Sequence, residues 1–143
     1  MERREFIATA GAAAALISTR EVSAQGQTNT QDMHPPKYAA LEAATAKCVA
    51  NGQDCLRHCL GMLSMKDTSM ATCTNSVIQL VAVCHALQTL ASLNSTFTVA
   101  FAKNVAAVCD FCGQENRKFN NIAECRACAD ACKACADECR KLS

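Results

Sequence analysis

The chain has no tryptophan, one tyrosine and five phenylalanines among its 143 residues, so aromatic side chains cannot build its core. Formal net charge is +1 and no basic block occurs, so nothing in the charge pattern points to nucleic acid. No apolar run approaches the length needed to span a membrane. No segment alternates apolar and polar residues with period two, which leaves strands without support. The last segment lacks even ordinary core residues. Nothing between Ala123 and Lys141 is Leu, Ile, Val, Phe or Met.

Sulfur is what the chain has instead. It carries twelve cysteines and five methionines. Cys125, Cys128, Cys132, Cys135 and Cys139 are spaced alternately by three and four residues. At roughly 100° per residue their Cβ atoms fall inside an arc of about 80°. One face of the helix is a stripe of thiols, and Arg126, Asp130, Lys133, Asp137, Glu138 and Arg140 occupy the rest. A bundle helix normally places Leu or Ile on such a face, each contributing about 1.5–3 kcal/mol when buried. Five cysteines in their place point to another use for the sulfurs.

The first 24 residues read as an export leader. Arg3-Arg4 precede Phe6-Ile7, a weakly apolar stretch runs from Ala8 to Ile17, and Val22-Ser23-Ala24 offers a small-residue cleavage site. The pattern resembles a bacterial twin-arginine signal, which carries folded proteins to the periplasm or another extracytoplasmic compartment. Cysteines buried before export would meet the oxidising compartment already protected. Residues 25–35 read as a polar tail, and 36–143 as the folded domain.

Four helical segments with short links are expected: from Pro36 to Met65, Thr68 to Leu93, Thr96 to Arg117 and Asn120 to Lys141. Asn51-Gly52 is expected to kink or break the first. Asp67 or Thr68, Asn94 or Ser95, and Asn121 paired with Glu124 are the expected N-caps. The fold class is all-α, an antiparallel four-helix bundle with a cysteine-lined core. Each helix turns sulfur inward: Cys48, Cys55 and Cys59; Cys73 and Cys84; Cys109 and Cys112; then the run from Cys125 to Cys139. Asn121 lies on the same stripe, four residues before Cys125, where a further thiol would extend the array.

Three chemistries suit buried thiols. Disulfides fit poorly, because cysteines three or four apart on one helix have nearly parallel Cβ vectors. The pairs Cys109–Cys112 and Cys125–Cys128 imitate a zinc signature, but without its usual glycine-rich flanks. Four thiolates around Zn²⁺ also leave net charge −2, and no Lys or Arg falls on the inner stripes to offset it. Cu(I) is soft and monovalent, prefers sulfur and is neutralised by one thiolate per ion. Twelve cysteines then hold about as many ions. His58, Met62 and Met65, four and three apart, with Met70 in the next turn, form a neutral ligand set suited to a mouth. A redox enzyme using CxxC lacks the expected βαβ context, and no catalytic residue set is identified. The residues alone leave a disulfide-stapled structural or interaction protein and a zinc-binding protein as competing readings.

Over residues 36–142 the chain resembles the copper storage proteins, a family of cysteine-rich four-helix bundles. Cys48, Cys55-Leu-Arg-His-Cys59, Cys73, Cys84, Cys109-Asp-Phe-Cys112 and the run Cys125 to Cys139 carry the resemblance. It implies a homotetramer of bundles, each holding multiple Cu(I) ions mostly between cysteine pairs. It also implies a His/Met entrance, here His58, Met62, Met65 and Met70, and a copper-delivery partner or copper enzyme. The leader is similar to that of the exported branch.

Overall fold

A computed structural model describes residues 34–142. The expected leader, 1–24, and the tail as far as residue 33 lie outside the described residues. Four helices follow one another: α1 (Ala39–Ser64), α2 (Ala71–Ser92), α3 (Thr98–Arg117) and α4 (Ala123–Arg140). No strand occurs among the described residues. The links are 65–70, 93–97 and 118–122, short enough to force each helix to run back along its predecessor. Each helix packs against two others: α1 on α2 and α4, and α3 on α2 and α4. The backbones of diagonal partners stay apart, so the four axes stand at the corners of a square, and side chains meet across the diagonals inside it.

The helix starts differ from expectation. Tyr38, Met70, Phe97 and Ile122 are the N-caps, and none makes a side-chain capping bond. The polar residues expected to cap bond within the links instead. Asp67 Oδ1 accepts the Ser69 amide at 2.9 Å, and Ser95 Oγ accepts the Phe97 amide at 3.2 Å. Asn121 stays exposed in the last link. The first helix begins at Ala39, beyond Pro35-Pro36, whose segment is held elsewhere. Asn94, with φ 51°, ends α2 in the left-handed region that asparagine tolerates. From there its Oδ1 accepts the Lys37 amide at 2.8 Å and its Nδ2 donates to the Pro35 carbonyl at 3.1 Å.

Gly52 neither kinks nor breaks α1. It is buried, and the helix is continuous from Ala39 to Ser64. A Cβ placed on Gly52 would lie 2.8 Å from Val81 Cγ2, 3.6 Å from Leu80 Cδ2 and 3.7 Å from Val77 Cγ1. Glycine here lets α1 approach α2 closely, and the aliphatic groups of α2 fill the space a side chain would take.

The core changes character along its length. Where α1 and α3 begin and α2 ends, Leu41, Leu87, Ala91, Ala102 and Val105 are buried with Thr45 and Thr98. These two hydroxyls bond backbone carbonyls, Thr45 Oγ1 to Leu41 at 2.9 Å and Thr98 Oγ1 to Leu90 at 3.1 Å, so no polar group is left open. This end is an aliphatic plug. The remainder of the core is mostly thiol.

Gly52→Ala forces a β-branched Val81 side chain off a rotamer it cannot easily leave. Overpacking of this kind costs about 1–3 kcal/mol, more than the gain in helix propensity of about 1 kcal/mol. The expected result is a lowered thermal midpoint with unchanged helix content by circular dichroism. An unchanged or raised midpoint would contradict the close approach.

Candidate metal centre

All twelve cysteines are buried, unbridged and directed to the axis. The three-and-four spacing of α4 turns Cys125, Cys128, Cys132, Cys135 and Cys139 inward, with Ala129, Ala131 and Ala136 as the only other buried residues of that helix. Small side chains on this face bring the sulfurs of neighbouring helices within reach of one another.

Three clusters form, in each of which the sulfurs lie within 4.8 Å of one another. The inner quartet is Cys48, Cys84, Cys109 and Cys135, one thiol from every helix. Cys84 Sγ stands 3.9 Å from Cys109 Sγ and 4.0 Å from Cys135 Sγ. The second cluster, Cys112, Cys128 and Cys132, belongs to α3 and α4 alone. Ser76 of α2 reaches across, its Oγ 3.6 Å from Cys112 Sγ. The outer cluster is Cys55, Cys73 and Cys125, from α1, α2 and α4. Cys55 Sγ lies 3.8 Å from both Cys59 Sγ and Cys125 Sγ, which extends this cluster toward the end of the bundle. These separations are far beyond the roughly 2.05 Å of a disulfide.

Asn116 takes the place of α3 in the outer cluster. It is fully buried, and its Oδ1 accepts from Cys55 Sγ at 3.0 Å and Cys73 Sγ at 3.4 Å. Its Nδ2 donates to the Cys112 carbonyl at 2.9 Å and to Cys112 Sγ at 3.3 Å. The sequence reading placed a missing thiol at Asn121, which is exposed and outside α4. The inward carboxamide is five residues earlier and on α3. The signal was legible: Cys109, Cys112 and Asn116 repeat the spacing of three and four.

The end of the bundle beyond the outer cluster holds the His/Met set. His58 is half-buried, and its Nε2 is fully enclosed without a hydrogen-bond partner. An enclosed nitrogen of this kind costs about 1–3 kcal/mol unless something binds it. Met62 is half-buried and Met70 is 1% exposed, whereas Met65 at the C-cap of α1 is 69% exposed. The set therefore grades from core to solvent. His85, beside Cys84 on α2, is exposed.

Electrostatics limit what the array can hold. Among the described residues, no Lys or Arg is buried. The cations of α4 pair outside: Arg140 with Asp110 of α3, and Lys133 with Asp137 at 2.6 Å. Thiolates inside must be neutralised by protons, by one another's S–H groups or by metal. Burial pushes the Cys59 thiol up, and pushes Cys125 up to about 12. Cys112 goes the other way, held down to about 4 by S–H donation from Cys128 and Cys132. Donation from Cys109 likewise brings Cys48 down to about 5. The opposite directions have one cause, since each buried sulfur leans on the S–H groups around it.

Residues 34–143 match the family model described as Csp, copper storage protein. Among solved structures, the Cu(I)-bound copper storage protein BsCsp3 is similar, with a TM-score of 0.66 and 26% identity. The likeness covers 73% of this chain and 95% of that one. A search of curated proteins returns no match.

Cys59 and Cys125 ionise later in the fold than in the unfolded chain, where a thiol titrates near 9. Their contribution to stability is complete below pH 9 and is lost as pH rises above it, toward about 12 for Cys125. Cys112, shifted down, contributes above pH 9 and loses that contribution as pH falls through about 4. The metal-free protein is expected to melt at lower temperature at pH 10.5 than at pH 8.5. Equal midpoints would show that the thiols are not enclosed.

Proposed function

The chain belongs to the copper storage protein family, and from that premise we propose that it is a non-catalytic store holding about a dozen Cu(I) ions on its twelve core cysteines. One observation carries this reading: the buried thiol clusters contain no buried cation to offset the negative charge a divalent ion would leave among them. A soft monovalent ion matched one to one with thiolate leaves the core neutral. The Cu(I)-bound state of the similar BsCsp3 structure supports the choice of metal.

His58, Met62, Met65 and Met70 form the entrance in this reading. The support is the enclosed Nε2 of His58 and the inward gradation of the thioethers. Imidazole and thioether bind Cu(I) without giving up a proton, so they hold it less firmly than the thiolates beyond. Residues 1–24 act as a twin-arginine leader and 25–35 as a tail. The 36–143 bundle then works in the periplasm or another extracytoplasmic compartment. A homotetramer and a copper-delivery partner or copper enzyme complete the proposal.

A narrower second reading rests on the inner quartet. Sulfurs about 3.8 Å apart suit tetrahedral Zn²⁺ with Zn–S near 2.3 Å, and Cys84 has neighbours at 3.9 and 4.0 Å. That reading gives one ion per chain and leaves the other two clusters without a role.

Anaerobic titration against a chromophoric Cu(I) chelator separates the two. About a dozen tight equivalents per chain are expected; one or two would end the storage reading. Zinc binding at one equivalent, with copper no higher, would favour the quartet reading. For the entrance, His58→Ala with Met62→Leu should slow uptake from a Cu(I)–chelator complex about tenfold while the thiol-bound capacity stays near the wild-type value. Unchanged uptake would place the entrance elsewhere.

A further inference from the structure

The outer cluster differs from the inner quartet in one respect. The quartet has a thiol from each helix, whereas α3 contributes Asn116 to the outer cluster. The orientation of that carboxamide is fixed. Its Nδ2 must face the Cys112 carbonyl, an acceptor at 2.9 Å, so its Oδ1 must face Cys55 and Cys73. An amide oxygen suits hard ions and is a poor partner for Cu(I). The side chain also spans two clusters, since Nδ2 lies 3.3 Å from Cys112 Sγ. It therefore stands between the outer cluster and the deeper array.

The far end of the bundle is closed by the aliphatic plug of Leu41, Leu87, Ala91, Ala102 and Val105. Any ion in the quartet has to travel past the outer cluster to reach the His/Met end. Retention there as strong as in the quartet would hold back everything beneath it.

Resting on the storage reading above, we propose that Asn116 is a positioning and specificity residue that makes the outer cluster an exchangeable transit layer. It holds Cys55 and Cys73 in place through their S–H groups while denying the mutually close trio of Cys55, Cys73 and Cys125 a thiolate from α3. Copper in the outer cluster is then shared among three sulfurs and leaves first. Copper in the quartet is held by four and leaves last.

The test follows release from the fully loaded, folded protein to excess chromophoric Cu(I) chelator. Two phases are expected from the wild type. Cys73→Ser should reduce the amplitude of the fast phase only, and Cys84→Ser that of the slow phase only. Asn116→Cys should bind about one more Cu(I) and slow the fast phase about tenfold. An N116C protein with native helicity and one more reactive thiol than wild type, yet releasing at the wild-type rate, would falsify the proposal. So would a Cys73→Ser protein whose loss falls in the slow phase, and that result needs no Asn116 variant to fold. A wild type binding only one or two ions fails earlier, at the stoichiometry, and overturns the storage reading together with this one.

Discussion

Everything in this bundle depends on sulfur packed against sulfur where branched hydrocarbon would normally stand. A thiol is small and weakly polar, so it buries readily, but it fills little volume. Helices faced with cysteine and alanine can stand close enough for thiols on neighbouring helices to approach to 3.8–4.0 Å. The same closeness brings potential anions together in a medium that solvates them poorly. Each sulfur must therefore share a proton or a metal with its neighbours. The clusters, the shifted acidities and the exclusion of lysine and arginine from the interior all follow from that condition.

Much of this was legible in the chain. The period of α4 fixed its buried face residue by residue, and the same spacing in α1, α2 and α3 placed the remaining cysteines on one axis. Periodicity reports the face that a side chain occupies and is insensitive to what stands opposite. Gly52 shows the difference. Read locally it weakens a helix, whereas in the fold it is the point where α1 can touch Val81. The helix caps were missed for a related reason. Polar residues in the links found amide partners there, and apolar Met70 and Ile122 took the cap positions because packing outweighed the local bond.

Asn116 does not show in a search for cysteine alone, although the period reaches it. Its position repeats the stripe of Cys109 and Cys112, and only its chemistry differs. Asn121 lies near the densest cysteine run, but it belongs to the turn that precedes the helix. A residue two positions outside a helix has no claim to that helix's face. The rule is physical: a stripe ends where the backbone stops being helical.

The aliphatic parts of the molecule have one more consequence. Leu41, Leu87, Ala91 and Val105 at one end, with Val77 and Leu80 along α2, bury hydrocarbon independently of any ion. Small metal domains that lack such a framework unfold when stripped. Here the buried hydrocarbon favours the folded bundle whether or not the thiols carry an ion. A fold held in this way separates the binding of an ion from the act of folding.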